Sequence, residues 1–181
     1  MLACSEQTGL IVIDLQPSFL AAIHDSERVM RRAEFLVRVA NLLAIPVFVT
    51  EQYPDRMGAT HEALLRHLGA ATIEGKMVFS ALGAPSLASW LEGKTQIVLC
   101  GIETMICVNQ TAQQLWELGH EVMIAADAVG GRSIQMHELG LSRLSLAGCE
   151  FAHSEAIVYE WMKTAEHPQF REVLKLVKEY A

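Results

Sequence analysis

Three runs of this chain are almost wholly apolar: Leu10-Ile11-Val12-Ile13, Ile45-Pro46-Val47-Phe48-Val49 and Ile97-Val98-Leu99-Cys100. A strand with one wet face alternates apolar and polar residues, so unbroken runs of this length are the pattern of strands covered on both sides. Between them lie stretches with helical spacing. After Asp25-Ser26, the positions Val29, Ala33, Leu36, Val37, Ala40 and Leu43 recur on one helix face. After Thr104, Ala112, Leu115, Trp116 and Leu118 do the same, and Gly119 stands where such a helix ends. Apolar strands alternating with amphipathic helices predict an α/β fold: a three-layer α/β/α sandwich around a Rossmann-like, mostly parallel sheet of about six strands, with helices on both faces. Further strands are expected within residues 72–79, with Lys76 in the middle, at 121–125, ending ahead of Asp127, and at 150–152. Short helices are expected near His61 to His67 and from Pro85-Ser86 to Leu91. Longer ones run from a Ser133 cap to Ala147 and onward from Pro168. With 181 residues, no internal repeat and no linker-like tract, residues 1–181 read as a single domain.

Composition removes several classes of function. A formal charge of −7 with scattered basic residues, the densest pair being Arg31-Arg32 on the polar side of a helix, argues against a nucleic-acid surface. No apolar run is long enough to span a bilayer, so no membrane partner is expected. Residues 1–7 lack the basic region and apolar core of a signal peptide, and the cytoplasm is the expected location. The four cysteines, Cys4, Cys100, Cys107 and Cys149, form no C-x-x-C pair and have no metal-ligand spacing. Cys100 and Cys149 read as packing residues. No G-x-G-x-x-G opens a helix after a strand and no P-loop exists, so Gly130-Gly131 alone does not support a nucleotide-binding module.

In open parallel sheets, ligands bind at the carboxyl ends of the strands, near the point where strand order reverses. Asp14, the Lys76 region, the turn over residues 101–107 and Asp127 all follow expected strands and are expected at that edge. With Thr104 as helix cap, Cys107 falls in the first turn, at the positive end of the helix dipole, where a thiol is expected to shift toward thiolate. An acid, an amine and a thiol suit acyl transfer. Asp14 would be the base, Lys76 the cation favouring sulfur anion, Cys107 the nucleophile, and backbone N–H groups at the turn the oxyanion donors. Each has an ordinary role as well: aspartate forms turns, lysine is solvated, and a free cysteine fills space.

The segments Leu10-Ile11-Val12-Ile13-Asp14-Leu15-Gln16-Pro17, Thr50-Glu51-Gln52-Tyr53-Pro54, Lys76-Met77-Val78-Phe79-Ser80 and Gly101-Ile102-Glu103-Thr104-Met105-Ile106-Cys107-Val108-Asn109-Gln110-Thr111-Ala112 occur in this order. Together with Asp127-Ala128-Val129-Gly130-Gly131-Arg132-Ser133, they resemble the isochorismatase-like cysteine hydrolase family, which includes the nicotinamidases. The glutamine-tyrosine-proline loop and the tail His167-Pro168-Gln169-Phe170 resemble its metal-free branch. The resemblance implies a triad of Asp14, Lys76 and Cys107, and a non-proline cis peptide between Ile102 and Glu103. It also implies an oxyanion hole from the Glu103 and Cys107 N–H groups, and a homo-oligomer. The expected activity is cofactor-independent hydrolysis of a small amide or related acyl compound through a Cys107 thioester. A retained cysteine argues for acyl chemistry over vinyl-ether hydrolysis, whose enzymes carry a small residue there. Two departures bear on the substrate. The Asp-x-His metal motif of nicotinamidases is replaced by Gln52-Tyr53-Pro54-Asp55-Arg56, and His61 and His67 are not spaced to share a helix face, so they are expected to be solvated. No metal is therefore expected, and nicotinamide is not the expected substrate. Met105 stands where many relatives place histidine and is expected to make the pocket more apolar. Phe19, Gln52, Tyr53 and Phe79 are expected to line a small pocket with aromatic walls, and Trp116 to make a helix–sheet or subunit contact. The alternative is a redox-sensing or non-catalytic binding protein on the same scaffold, with Cys107 oxidised reversibly to the sulfenic acid.

Overall fold

The computed structural model describes residues 2–181. Along the chain run β1 (Thr8–Ile13), α1 (Pro17–Leu20), α2 (Ser26–Leu42), β2 (Val47–Gln52), α3 (Pro54–Met57), α4 (Glu62–Leu65), β3 (Thr72–Lys76) and α5 (Leu87–Trp90). Then follow β4 (Gln96–Ile102), a π-helical turn (Thr104–Val108) that leads into α6 (Asn109–Glu117), β5 (Glu121–Gly130), α7 (Ile134–Leu146), β6 (Glu150–Ala152), α8 (Ser154–Met162) and α9 (Phe170–Tyr180). The strands form one six-stranded sheet in the order β3-β2-β1-β4-β5-β6, and every neighbouring pair is parallel.

The apolar runs do what their composition requires. In β1, Leu10 and Val12 face one core while Ile11 and Ile13 face the other, and all four are fully buried. The first core is closed by α2, α8 and α9 through Phe35, Leu36, Ile157, Trp161 and Val173. The second is closed by α5, α6 and α7 through Leu87, Ala112, Leu115 and Leu144. At roughly 1.5–3 kcal/mol for each large side chain removed from water, these two layers dominate the favourable side of folding.

Some boundaries differ from the sequence pattern. β3 stops at Lys76 because its ladder with β2 ends at the Gln52–Lys76 pair, and Met77, Val78 and Phe79 leave the sheet with exposed side chains. β5 runs past residue 125 to Gly130. Leu99 pairs with Ile124 but Gly101 pairs with Val129, so the extra residues of β5 are absorbed in a bulge. Asp127 sits in that bulge rather than at a strand end. Its carboxylate accepts from the Ser154 N–H at 2.7 Å and hydroxyl at 2.5 Å and lies 3.3 Å from Arg32 Nε, so it ties β5 to α8 and α2 instead of reaching the ligand edge. Helix α8 lies between the expected strand at 150–152 and the helix after Pro168, where no element is expected, and Ile157, Val158, Trp161 and Met162 are buried on it at helical spacing. Cys100 and Cys149 are packed in the two cores, as expected, and Trp116 is about half exposed with its indole near Gly148.

Strand order reverses between β1 and β4, which sit side by side while their crossovers leave in opposite directions. Here Ile13 lies opposite Gly101. Gly101 has φ +113°, and a Cβ there would come within 2.1 Å of the Ile13 carbonyl oxygen, so only glycine lets the two backbones close at this point. Gly101→Ala is expected to cost about 2 kcal/mol or more in unfolding free energy, read by denaturant titration; a loss below about 0.5 kcal/mol would contradict this role.

Candidate active site

Asp14 is the first residue beyond β1. It adopts a left-handed backbone (φ +54°), which aspartate tolerates better than most residues, while its N–H still bonds the Thr50 carbonyl at 3.1 Å. This bend aims a carboxylate that is 2% exposed into the sheet edge. Oδ1 accepts from the Thr50 hydroxyl at 2.7 Å, and Oδ2 accepts from Lys76 Nζ at 2.7 Å. Lys76, the last residue of β3, is itself 2% exposed. Its ammonium also donates to Gln52 Oε1 at 2.6 Å and to the Val78 carbonyl at 3.5 Å, so all three protons have acceptors.

A glutamine that sequence reasoning passed over fixes this arrangement. Gln16 is fully buried, and its amide oxygen accepts from the Gln52 N–H at 2.7 Å. Its amide nitrogen donates to the Gln52 carbonyl at 3.1 Å and the Gly58 carbonyl at 2.6 Å. The Gln52 side chain in turn spans Lys76 and the Met77 carbonyl, donating to the latter at 2.8 Å. A polar residue with no exposure beside Pro17 was the available signal for Gln16, and a threonine closing an apolar strand was the signal for Thr50.

Cys107 lies on the π-helical turn, not on an α-helix. Both Ile106 and Val108 donate to the Glu103 carbonyl, at 3.0 and 3.2 Å, which produces the wider turn. Thr104 does not cap it: Glu103 is the flanking residue, and the Thr104 hydroxyl donates to the Gly130 carbonyl at 2.9 Å and meets His137 Nδ1 at 2.9 Å. Gly140 of α7 packs directly against Thr104 and Met105, which braces the turn from behind. The Cys107 carbonyl accepts from Thr111 Oγ1 at 2.7 Å, and that oxygen accepts from the Ala81 N–H. The peptide bond between Ile102 and Glu103 is cis.

The structure brings Asp14, Lys76 and Cys107 together: Asp14, Glu103 and Cys107 line one pocket, and Lys76 Nζ lies 2.7 Å from Asp14 Oδ2. The expected thiolate shift is overturned. Burial, and after it the neighbouring Asp14 charge, push the Cys107 thiol up to about 12, against the smaller pull of Lys76 and the Glu103 N–H. A short turn cannot offset removal from water next to a carboxylate. Burial also raises the Asp14 carboxyl above its ordinary range, opposed first by Lys76 and then by the Thr50 and Cys107 hydrogen bonds.

Above the three groups is a cavity of about 80 Å³, lined by Asp14, Phe19, Gln52, Phe79, Ile102, Glu103, Ile106 and Cys107. Phe19, Gln52 and Phe79 are among these lining residues. Tyr53 is not among them: β2 ends at Gln52, Tyr53 turns into the left-handed region (φ +45°) ahead of α3, and it is 39% exposed. Ile102 and Ile106 are lining residues the sequence reading missed. His61 and His67 are engaged elsewhere, His61 Nδ1 accepting from the Ala63 N–H and His67 Nε2 lying 3.1 Å from Glu34. Among the described residues no helix is long and apolar enough to cross a membrane.

Fold and pocket define a parallel α/β protein with a cysteine site at its switch point. Residues 8–156 match the family model of the isochorismatase domain. The chain is 35% identical over 179 residues to isochorismatase domain-containing protein 2A of Mus musculus, covering 96% of this chain and 84% of that one. Its structure is similar to that of the MAR1 ribonuclease of Caenorhabditis elegans, with TM-score 0.95 and 32% identity over 98% of this chain and 93% of that one. In fold alone it is similar to the YcaC gene product of Escherichia coli, called an octameric hydrolase of unknown specificity, with TM-score 0.86 and 17% identity over 100% of this chain and 98% of that one. The chain belongs to the isochorismatase-like hydrolase family.

Iodoacetamide alkylation of Cys107, followed by peptide mass mapping that separates it from Cys4, is expected to be slow at neutral pH and to climb steadily into the alkaline range. A rate already at plateau near neutrality would contradict the raised thiol. Gln16→Ala, which strips partners from the Gln52 backbone and the Gly58 carbonyl, is expected to lower unfolding free energy by about 1–3 kcal/mol, measured by urea titration.

Proposed function

We propose that the protein is a cofactor-independent cysteine hydrolase, cleaving a small amide or related acyl compound through a thioester on Cys107. The observation that carries this reading is one carboxylate, Asp14, paired with the Lys76 ammonium at 2.7 Å and lining the same small pocket as Cys107. Asp14 takes the thiol proton as sulfur attacks the carbonyl carbon; the C–S bond forms and the carbonyl π pair moves onto oxygen. The Glu103 and Cys107 N–H groups are the proposed donors to that oxyanion. The pair then returns, the C–N bond breaks, and Asp14 hands its proton to the departing nitrogen. Water next gives a proton to Asp14 and attacks the thioester. The C–S bond breaks, sulfur recovers the proton, and a carboxylic acid leaves. Lys76 faces whichever of sulfur and carboxylate is negative.

Two other readings make different predictions. A buried thiol held near 12 is a slow target for peroxide, so a sensor role is the weaker use of this site. The name of the C. elegans relative raises RNA as a substrate. A phosphodiester would have to bring its charge beside Asp14 and Glu103, into about 80 Å³, on a chain of net charge −7. The homo-oligomer remains part of the proposal, supported by exposed apolar side chains on α7 such as Leu139 and Leu146.

Cys107→Ala is expected to keep the circular dichroism spectrum and to lose at least about a thousandfold in amide turnover. Full turnover in that variant, or RNA cleavage that disappears with the sulfur, would overturn the amidase reading. For the wild-type protein, kcat/KM is expected to rise with pH as Asp14 ionises, with a midpoint above the ordinary 3.8. A midpoint at or below 3.8 would remove Asp14 as the base.

A further inference from the structure

Resting on the hydrolase reading above, we propose that the pocket selects short neutral acyl groups, and that Glu103, held by Arg132, is the residue that turns anionic substrates away. The charged residues among the pocket's lining are of one sign, Asp14 and Glu103, both acidic. Their cations stand outside it. Lys76 has all three ammonium protons taken by Asp14, Gln52 and Val78, which leaves none for a substrate carboxylate. Arg132 Nε lies 3.0 Å from Glu103 Oε2 and is half exposed, while the Glu103 side chain is 19% exposed. Gln52, the neutral polar member of the lining, has its amide oxygen on Lys76 and its nitrogen on the Met77 carbonyl.

The remaining walls are hydrocarbon, from Phe19, Phe79, Ile102 and Ile106. A carboxylate entering here would give up its hydration to apolar walls, find no free donor among the lining side chains, and meet two like charges. A neutral acyl group meets none of these penalties. The enclosed space of about 80 Å³ is also far below the range of roughly 300–1,000 Å³ that holds drug-sized ligands, so the buried part of the substrate is a few non-hydrogen atoms. The class is therefore a short, uncharged carboxamide or ester whose leaving group faces the open side.

The pair isovaleramide and malonamate tests this, because the two have the same number of non-hydrogen atoms and differ in one carboxylate replacing an isopropyl group. Release of ammonia gives kcat/KM for each, and intact-protein mass spectrometry detects the acyl adduct on Cys107. Wild type is expected to favour isovaleramide by at least about tenfold. Glu103→Gln removes a negative charge and should narrow the ratio. Arg132→Gln leaves that charge uncompensated and should widen it. Opposite signs from the two variants separate an electrostatic role from a structural one, which would lower both substrates in both variants. Malonamate turned over as well as isovaleramide in wild type, or ratios moving the same way in both variants, overturns this inference while adducts on Cys107 still support the hydrolase. No adduct with either amide, or with a wider panel of small amides, overturns both.

Discussion

The ion pair between Lys76 and Asp14 is the interaction around which the candidate site is built. Both groups are 2% exposed, and taking two charges out of water costs several kcal/mol for each unless hydrogen bonds replace the lost hydration. Here the replacement is complete on the lysine side and nearly so on the aspartate side. Thr50, Gln52, the Val78 carbonyl and the Cys107 thiol supply the partners, and Gln16 holds Gln52 by its backbone so that its side chain stays aimed. The pair keeps a negative oxygen against a neutral sulfur in a place that would otherwise expel charge. Burial beside that carboxylate thus favours the thiol over the thiolate at Cys107.

The topology brings these groups together without a long-range device. Asp14 and the Cys107 turn follow the two strands that flank the switch point, and Lys76 ends an outer strand one position removed, across β2. Register does the remaining positioning. Ile13 opposite Gly101 sets Asp14 beside the turn, and Gln52 opposite Lys76 sets the amide beside the ammonium. The close approach at Gly101 and the tight packing of Gly140 on Thr104 hold the turn from two sides.

Much of this was legible in the residues themselves. Continuous apolar runs such as Leu10-Ile11-Val12-Ile13 announced strands buried on both faces, and ordered motifs around Asp14, Lys76 and Cys107 pointed to the family that the comparisons then showed. What failed did so for physical reasons. Helix-terminus reasoning lowered the thiol's proton affinity because it weighed a local dipole but not burial, which depends on parts of the chain remote in sequence. Asp127 looked like Asp14, an acid after an apolar strand, yet the bulge that retires it into a structural clasp exists only in the pairing of β5 with β4. Tyr53 reads as a pocket residue from its neighbours, but β2 ends just before it, its backbone turns left-handed, and it is not among the lining residues. Gln16 escaped notice because a buried amide that clamps a backbone leaves no periodic mark.

The central claim is that the resting site holds its proton on sulfur, with Asp14 ionised against Lys76. Infrared difference spectroscopy, wild type minus Cys107→Ala, reads both groups in one spectrum. The account predicts a Cys107 S–H stretch at neutral pH with no band from a protonated Asp14 carboxyl. A missing S–H stretch together with a protonated carboxyl band would mean that the proton rests on Asp14 and the sulfur is already an anion, and the account would be wrong.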